Sequence, residues 1–260
     1  MPVHGRYTTE KVTCPPHGET IGGVLYCIVI IGPNSFIEEQ ASLHYATQLA
    51  DEGHAALIFD PRTVGESTGQ PRRMETPRIK NEDAVAGLDY LISRGDVDKS
   101  RLFLVGICQG GPESLDIAYD DRVFEEASAS GYSRDRCIYE KIGEVMYHPL
   151  VDPKAADPDD GSLAGLPGPT LKSFENRYTV VSELDHFEYT TVPEVTKFTK
   201  PVLIIHRDNC MSAPAAKQHC DSIHTSDKKL IWNNDASHFQ HYDQPDRADI
   251  FRIIDYAGSL

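Results

Sequence analysis

The residues with the clearest chemical meaning surround Cys108. The run Leu104-Val105-Gly106-Ile107-Cys108-Gln109-Gly110-Gly111 is a G-x-C-x-G motif between an apolar, strand-like run and a helix-like one. It is the thiol counterpart of the G-x-S-x-G nucleophile elbow. A nucleophile at such an elbow occupies a tight, strained turn, so the positions two residues to either side must lack side chains. The helix that follows aims its first N–H groups at the site. Their field favours a thiolate over a thiol, and it favours the oxyanion formed after attack. The backbone N–H of Gln109 is the natural first oxyanion donor.

A thiolate needs a base and the base an orienting acid. His238 lies in Asp235-Ala236-Ser237-His238-Phe239-Gln240-His241-Tyr242-Asp243, after the last strand-like run and before the last helical one. The chain order nucleophile, acid, histidine makes it the expected base, with His241 as its rival. The acid is expected after the strand at 202–205, where the chain reads His206-Arg207-Asp208-Asn209-Cys210-Met211 and Asp208 is the sole carboxylate. A solvated turn aspartate is the plainer account of Asp208. Arg62, Glu66 and Arg72 lie in a loop that the fold brings toward the site, where they are candidates for binding a polar or anionic substrate group. A salt-bridge cluster within the loop explains them equally well.

The elements that must position these groups are legible as an alternation of strands and helices. Strands are expected at 10–15, 20–26, 27–31, 54–59, 101–105, 123–130, 201–205 and 229–232. Helices are expected at 38–52, 81–93, 109–119, 213–223 and 246–256. The fold class is therefore α/β: a doubly wound, mainly parallel sheet with right-handed crossovers and its reactive groups at the carboxyl ends of the strands. Residues 133–199 are rich in Pro, with Gly and Asp clustered at 152–169. They contain too few periodic segments to own a core, and are expected to be a lid inserted in a single domain spanning residues 1–260.

Composition narrows the partners. The chain has 260 residues, 40 Asp+Glu against 25 Lys+Arg, and a formal charge of −15, which argues against a nucleic-acid partner. The one dense basic patch is Arg72–Arg73 with Arg78 and Lys80, leading into an acidic helix. No apolar run reaches membrane-spanning length, so no membrane partner is expected. The first residues lack the apolar core of a signal peptide, and a cytoplasmic location is the default. The six cysteines, Cys14, Cys27, Cys108, Cys137, Cys210 and Cys220, show no metal-ligand spacing and read as reduced thiols apart from Cys108.

Taken together, several segments resemble α/β-hydrolases of the dienelactone hydrolase type, close to the bacterial and fungal group that includes polyketide transferases. The matching pieces are Gly32-Pro33-Asn34-Ser35 with Glu39-Gln40, Phe59-Asp60-Pro61, Gly65-Glu66-Ser67, Gly69-Gln70-Pro71-Arg72, the Cys108 elbow, Ser237-His238-Phe239 and Tyr242-Asp243-Gln244-Pro245. The resemblance implies a Cys-His-Asp triad, an oxyanion hole partly from the Asn34–Ser35 backbone, no metal or organic cofactor, and a small-molecule acyl substrate. A homodimer is one option for its assembly. Two departures stand out. The acid of such families falls at Cys210 here, two residues beyond Asp208, which sets the carboxylate back by about 7 Å if the segment is extended. Residues 24–31 also compress what is normally two strands and a loop, so an abnormal leading hairpin is expected.

The expected reaction is cleavage of an ester, lactone or thioester through an acyl-Cys108 intermediate. For the acid, three outcomes stay open: Asp208 after a local shift, a carboxylate from 133–199, or a Cys–His dyad. A Cys108–Cys210 contact, even a disulfide, is a further option. The alternatives for function are acyl transfer or cyclisation in polyketide-type biosynthesis, and a binding protein that kept the fold and lost the chemistry.

Overall fold

The computed structural model describes residues 10–14, 21–24, 28–98, 102–119, 145, 147–148, 175, 177–179, 182, 185–186, 188–191, 198–210, 212–232, 238, 242 and 250–258. The expected strand at 123–130, Cys137, Asp246 and most of 133–199 lie outside them.

Strands β1 (Lys11–Cys14) and β2 (Ile21–Val24) form an antiparallel pair, with Lys11 opposite Val24 and Cys14 opposite Ile21. The leading hairpin thus has a full ladder despite the short segment after it. Strand β3 (Val29–Ile31) is shorter than the expected 27–31, and β4 (Ile58–Phe59) shorter than 54–59; β4 pairs antiparallel with β2, and a bridge from Val29 to Leu57 ties it to β3. Strand β5 (Leu104–Gly106) runs parallel to β3, placing Gly106 beside Ile31. Within the insertion, β6 (Tyr147–His148) and β7 (Tyr178–Thr179) pair antiparallel. Strands β8 (Val202–His206) and β9 (Lys228–Trp232) pair parallel.

The helices are α1 (Ala41–Asp51), α2 (Pro77–Ser93), α3 (Gly110–Tyr119), α4 (Ala213–Ser222) and α5 (Ile250–Gly258). Val29, Ile30 and Ile31 are each fully buried, as a parallel strand covered on both faces requires. Side chains alternate along a strand, so Ile30 packs with Ala46, Leu49 and Ile250 of α1 and α5. Val29 and Ile31 pack with Ala84, Leu91 and Ile117 of α2 and α3 on the opposite face. Two cores on two faces of one strand are the physical content of a doubly wound sheet. Each of the Val, Leu and Ile side chains among them contributes about 1.5–3 kcal/mol by leaving water.

Helix α2 starts four residues before the expected 81. The Thr76 hydroxyl accepts from the Ile79 N–H at 3.3 Å and Pro77 takes the first helical position. A threonine followed by proline is a helix-start signal, and reading Pro77 only as the end of a loop conceals it. The consequence is functional, because Lys80 becomes a helical residue facing inward. No helix among the described residues is long and apolar enough to cross a membrane.

The described part of the insertion docks on the chain leading into α2. The Tyr147 hydroxyl donates to the Arg72 carbonyl at 2.9 Å, and the Thr179 N–H to the Arg73 carbonyl at 3.2 Å. The Glu75 N–H donates to Ser182 Oγ at 3.1 Å.

Candidate active site

The carboxyl ends of β3, β4, β5 and β8 run into Gly32–Ser35, Asp60, Cys108 and Arg207 respectively. Cys108 adopts a left-handed backbone with φ of 57°. The turn is held by the Ile107 N–H on the Ile31 carbonyl at 2.9 Å and the Gly111 N–H on the Cys108 carbonyl at 2.9 Å. The flanking glycines are steric necessities. A Cβ on Gly106 would lie 2.0 Å from the Gly110 carbonyl oxygen, and one on Gly110 would lie 2.0 Å from that of Ile31. Non-glycine residues rarely hold positive φ unless their surroundings over-determine it. Here the close strand–helix contact supplies that constraint.

Cys108 as a residue is exposed, but its sulfur is crowded by protein. Burial pushes the thiol pKa above its ordinary value; it is opposed by the charge of Lys80 and by hydrogen bonds that the Tyr242 hydroxyl and the Gln109 backbone N–H donate to the sulfur in its thiolate form. The Gln109 N–H thus lies against the Cys108 sulfur. His238 meets the same hydroxyl: its Nε2 is 2.8 Å from the Tyr242 hydroxyl oxygen. Burial, with the charges of His206 and Arg207, pushes the His238 pKa below its ordinary value. A neutral imidazole able to accept a proton is the result.

The Asn34–Ser35 turn is present, with a left-handed Ser35 at φ 62°. Only part of it is free to act as expected. The Ser35 N–H donates to Glu75 Oε2 at 2.8 Å and the Ser35 carbonyl accepts from Arg73 Nη2 at 3.0 Å. Ser35 is thus a pinned residue and its N–H is committed, which leaves Asn34 as the candidate donor of the pair. Asn34 Oδ1 and Ser35 Oγ are both buried without a hydrogen-bond partner.

Behind the turn lies a charged cluster that sequence reasoning missed. Lys80 Nζ sits 3.0 Å from Glu75 Oε1, 3.4 Å from Glu113 Oε2 and 3.3 Å from the Pro33 carbonyl. All three residues are at most 1% exposed. Burial pushes the Glu113 carboxyl up to about 8, with Lys80 opposing. One ammonium thus joins the 33–35 turn, the entry to α2 and the first turn of α3. The available signal was Glu113 in the first turn after the elbow; Lys80 was hidden inside an apparent surface basic patch.

Four expected site residues fall elsewhere. Asp208 is 64% exposed and 3.8 Å from Lys217 Nζ on the surface. The chain turns directly after β8, and Arg207 takes the inward position, 5% exposed. Arg62 is 2% exposed and bound to Asp83 through its Nε at 2.5 Å, to Glu82, and to the Ile79 carbonyl. Arg72 binds the carbonyls of Ser67 and Gly65, and Glu66 pairs with Lys11 at the surface. The contacts seen for these three are within their own loop, with α2 or, for Glu66, with Lys11. Among the described residues, Cys108, Cys210 and Cys220 are free thiols, so Cys108 and Cys210 are not bridged. Burial, with a smaller contribution from Cys108, pushes the Cys210 thiol up.

No family model matches the chain. It is 26% identical to the uncharacterized protein PA2218 of Pseudomonas aeruginosa, over 98% of this chain and 82% of that protein. The crystal structure of PA2218 matches with a TM-score of 0.81 at 24% identity, covering 100% of this chain and 95% of that one. The α/β hydrolase GrgF from Penicillium sp. sh18 matches with a TM-score of 0.76 at 18% identity, covering 97% and 99% of the two chains. This chain has the α/β-hydrolase fold. Within it, Cys108 stands at the strand–turn–helix junction between β5 and α3. A shorter stretch is 33% identical to the thiohydrolase aneE of Aspergillus aculeatus over 72 residues, 27% of this chain and 23% of that protein.

Proposed function

We propose that the protein is a cysteine-dependent acyl hydrolase that cleaves an activated ester, lactone or thioester through an acyl-Cys108 intermediate. The observation that carries this reading is the left-handed Cys108 at the β5–α3 turn, with the Gln109 N–H on its sulfur and His238 one hydroxyl away. Attack by the thiolate places negative charge on the substrate carbonyl oxygen. The Gln109 N–H, together with Asn34, holds that oxygen, and one such donor is worth about 2.7–4 kcal/mol in the barrier. His238 takes the thiol proton and later activates the acceptor. Water as acceptor gives hydrolysis; an alcohol or amine would give acyl transfer or cyclisation.

Thioesters are the favoured class on two grounds. A thiolate leaving group departs readily from a tetrahedral intermediate formed on Cys108, and one sequence relative is named a thiohydrolase. The residues of 133–199 that dock on the entry to α2 support a substrate-shaping role for that insertion. Turnover of an aryl thioester and of the matching oxygen ester and amide tests the proposal. The expected order is thioester first, ester second and amide last, all abolished in C108A. Undiminished turnover by C108A would remove the proposal.

A further inference from the structure

We propose that Tyr242 is a catalytic residue, a hydroxyl relay that carries the Cys108 thiol proton to His238. This rests on the acyl-Cys108 reading and adds a residue to its machinery. The Tyr242 ring is 4% exposed. It is clamped edge-on by Phe36, with ring centres 5.2 Å apart at 75°, and by His238 at 5.4 Å and 67°. Its hydroxyl oxygen lies 2.8 Å from His238 Nε2 and is hydrogen-bonded to the Cys108 side chain. Nε2 is the ring nitrogen that a neighbouring thiol would be expected to address, and the tyrosine hydroxyl already occupies it.

A phenolic hydroxyl both donates and accepts. The chain S–H to Oη, and O–H to Nε2, therefore satisfies every group in the resting state. On activation the S–H bond breaks and its proton passes to Tyr242 Oη. The original Oη–H bond breaks in the same event and its proton passes to Nε2. Sulfur keeps the electron pair, Tyr242 remains neutral, and the products are a thiolate and an imidazolium. Tyr242 holds its own proton strongly, because burial and the neighbouring sulfur push its pKa up. A resting phenolate is thereby avoided, as a relay requires. Phe36 follows the 33–35 turn directly, so the oxyanion side of the site and the relay share one packing contact.

The test is the rate of Cys108 alkylation by iodoacetamide from pH 5 to 10, read by peptide mapping on the full chain, for the wild type, Y242F, H238A and C108A. The wild type is expected to show a fast neutral-pH limb that H238A removes. Y242F is expected to lower that limb by about 100-fold, the low end of positioned proton transfer, with an upward shift in the apparent thiol pKa. Its melting temperature should stay near that of the wild type. A Y242F profile within twofold of the wild type overturns the relay, since His238 would then take the proton directly. A wild type with no fast limb overturns the nucleophile reading as well. A proton inventory on the wild type gives a measurement that does not depend on folding of any variant. Two protons in flight predict a bowed dependence of rate on deuterium fraction; a straight line overturns the relay.

Discussion

The Ser35 backbone N–H donates to Glu75 Oε2 at 2.8 Å, and the other oxygen of the same carboxylate accepts from Lys80 at 3.0 Å. One buried carboxylate thus ties a left-handed turn at the end of β3 to the first turn of α2. The turn keeps its strained geometry because both peptide groups of Ser35 are engaged, the carbonyl by Arg73. Removing Glu75 strands the Lys80 ammonium beside Glu113. E75A is expected to lose about 3–5 kcal/mol of stability, the cost of breaking a buried ion pair from one side. E75Q keeps an acceptor for the Ser35 N–H and should retain more activity per folded molecule than E75A. Denaturant titration and burst-normalised turnover check both.

The two glycines of the α3 entry differ in what surrounds them. A Cβ on Gly110 meets the Ile31 carbonyl at 2.0 Å, whereas one on Gly111 meets nothing within 4 Å. G110A is expected to cost about 3 kcal/mol or more, because a backbone carbonyl cannot move aside. G111A should be neutral or stabilise by about 0.4–1 kcal/mol through the unfolded chain. Thermal melts of the pair decide it, and equal effects would contradict the close-approach account.

The identity of the element pattern was carried by local signals. The elbow, the buried run at Val29–Ile31 and the helix at Gly110–Tyr119 each rest on residues close in sequence. The site was less legible, because its supports cross long separations: Ser35 reaches Glu75, and Lys80 reaches Glu113 and Pro33. A charge pattern on one sequence cannot show which lysine turns inward. Arg73, Arg78 and Lys80 read alike, yet Arg73 and Lys80 are each 1% exposed and hydrogen-bonded inward, while Arg78 is only half-buried. Asp208 failed for a related reason. Its type suited an acid, but the register after β8 placed Arg207 inward and Asp208 at the surface. Tyr242 enters the sequence reading only as part of the His238 segment and of Tyr242-Asp243-Gln244-Pro245, and nothing in that local pattern marks it as a partner of Cys108.

Arg62 is a structural cation. It is 2% exposed and bound to Asp83 and Glu82 of α2. R62A should lower stability by about 3–5 kcal/mol, while the KM of the folded fraction for a small acyl substrate stays within twofold of the wild type. R72A, whose guanidinium binds only loop carbonyls, should cost about 1–3 kcal/mol. A rise of tenfold or more in KM for R62A at unchanged stability would restore a substrate role.

Stability should fall with rising pH across the neutral range. Burial, reinforced by Asp60, pushes the Glu38 carboxyl from 4.5 up to about 9. The folded state therefore holds a proton that the unfolded chain releases between about pH 4.5 and 9. Within that window the unfolded state binds fewer protons, so the stabilisation is complete below the lower value and lost progressively toward the higher one. Each such proton contributes a slope of about 1.4 kcal/mol per pH unit. E38Q should flatten the slope by that share, measured by urea denaturation at several pH values. An unchanged slope would contradict the assignment of a protonated Glu38.

The central claim is a covalent acyl-Cys108 intermediate, and trapping it is the most direct measurement. Rapid mixing with an activated acyl ester, acid quench and intact-mass analysis should show one acyl increment, mapped by peptide analysis to the segment carrying Cys108. C108A should show none, and H238A should form it far more slowly. An increment that persists in C108A, or turnover in the wild type without any trapped acyl adduct at Cys108, would contradict the account.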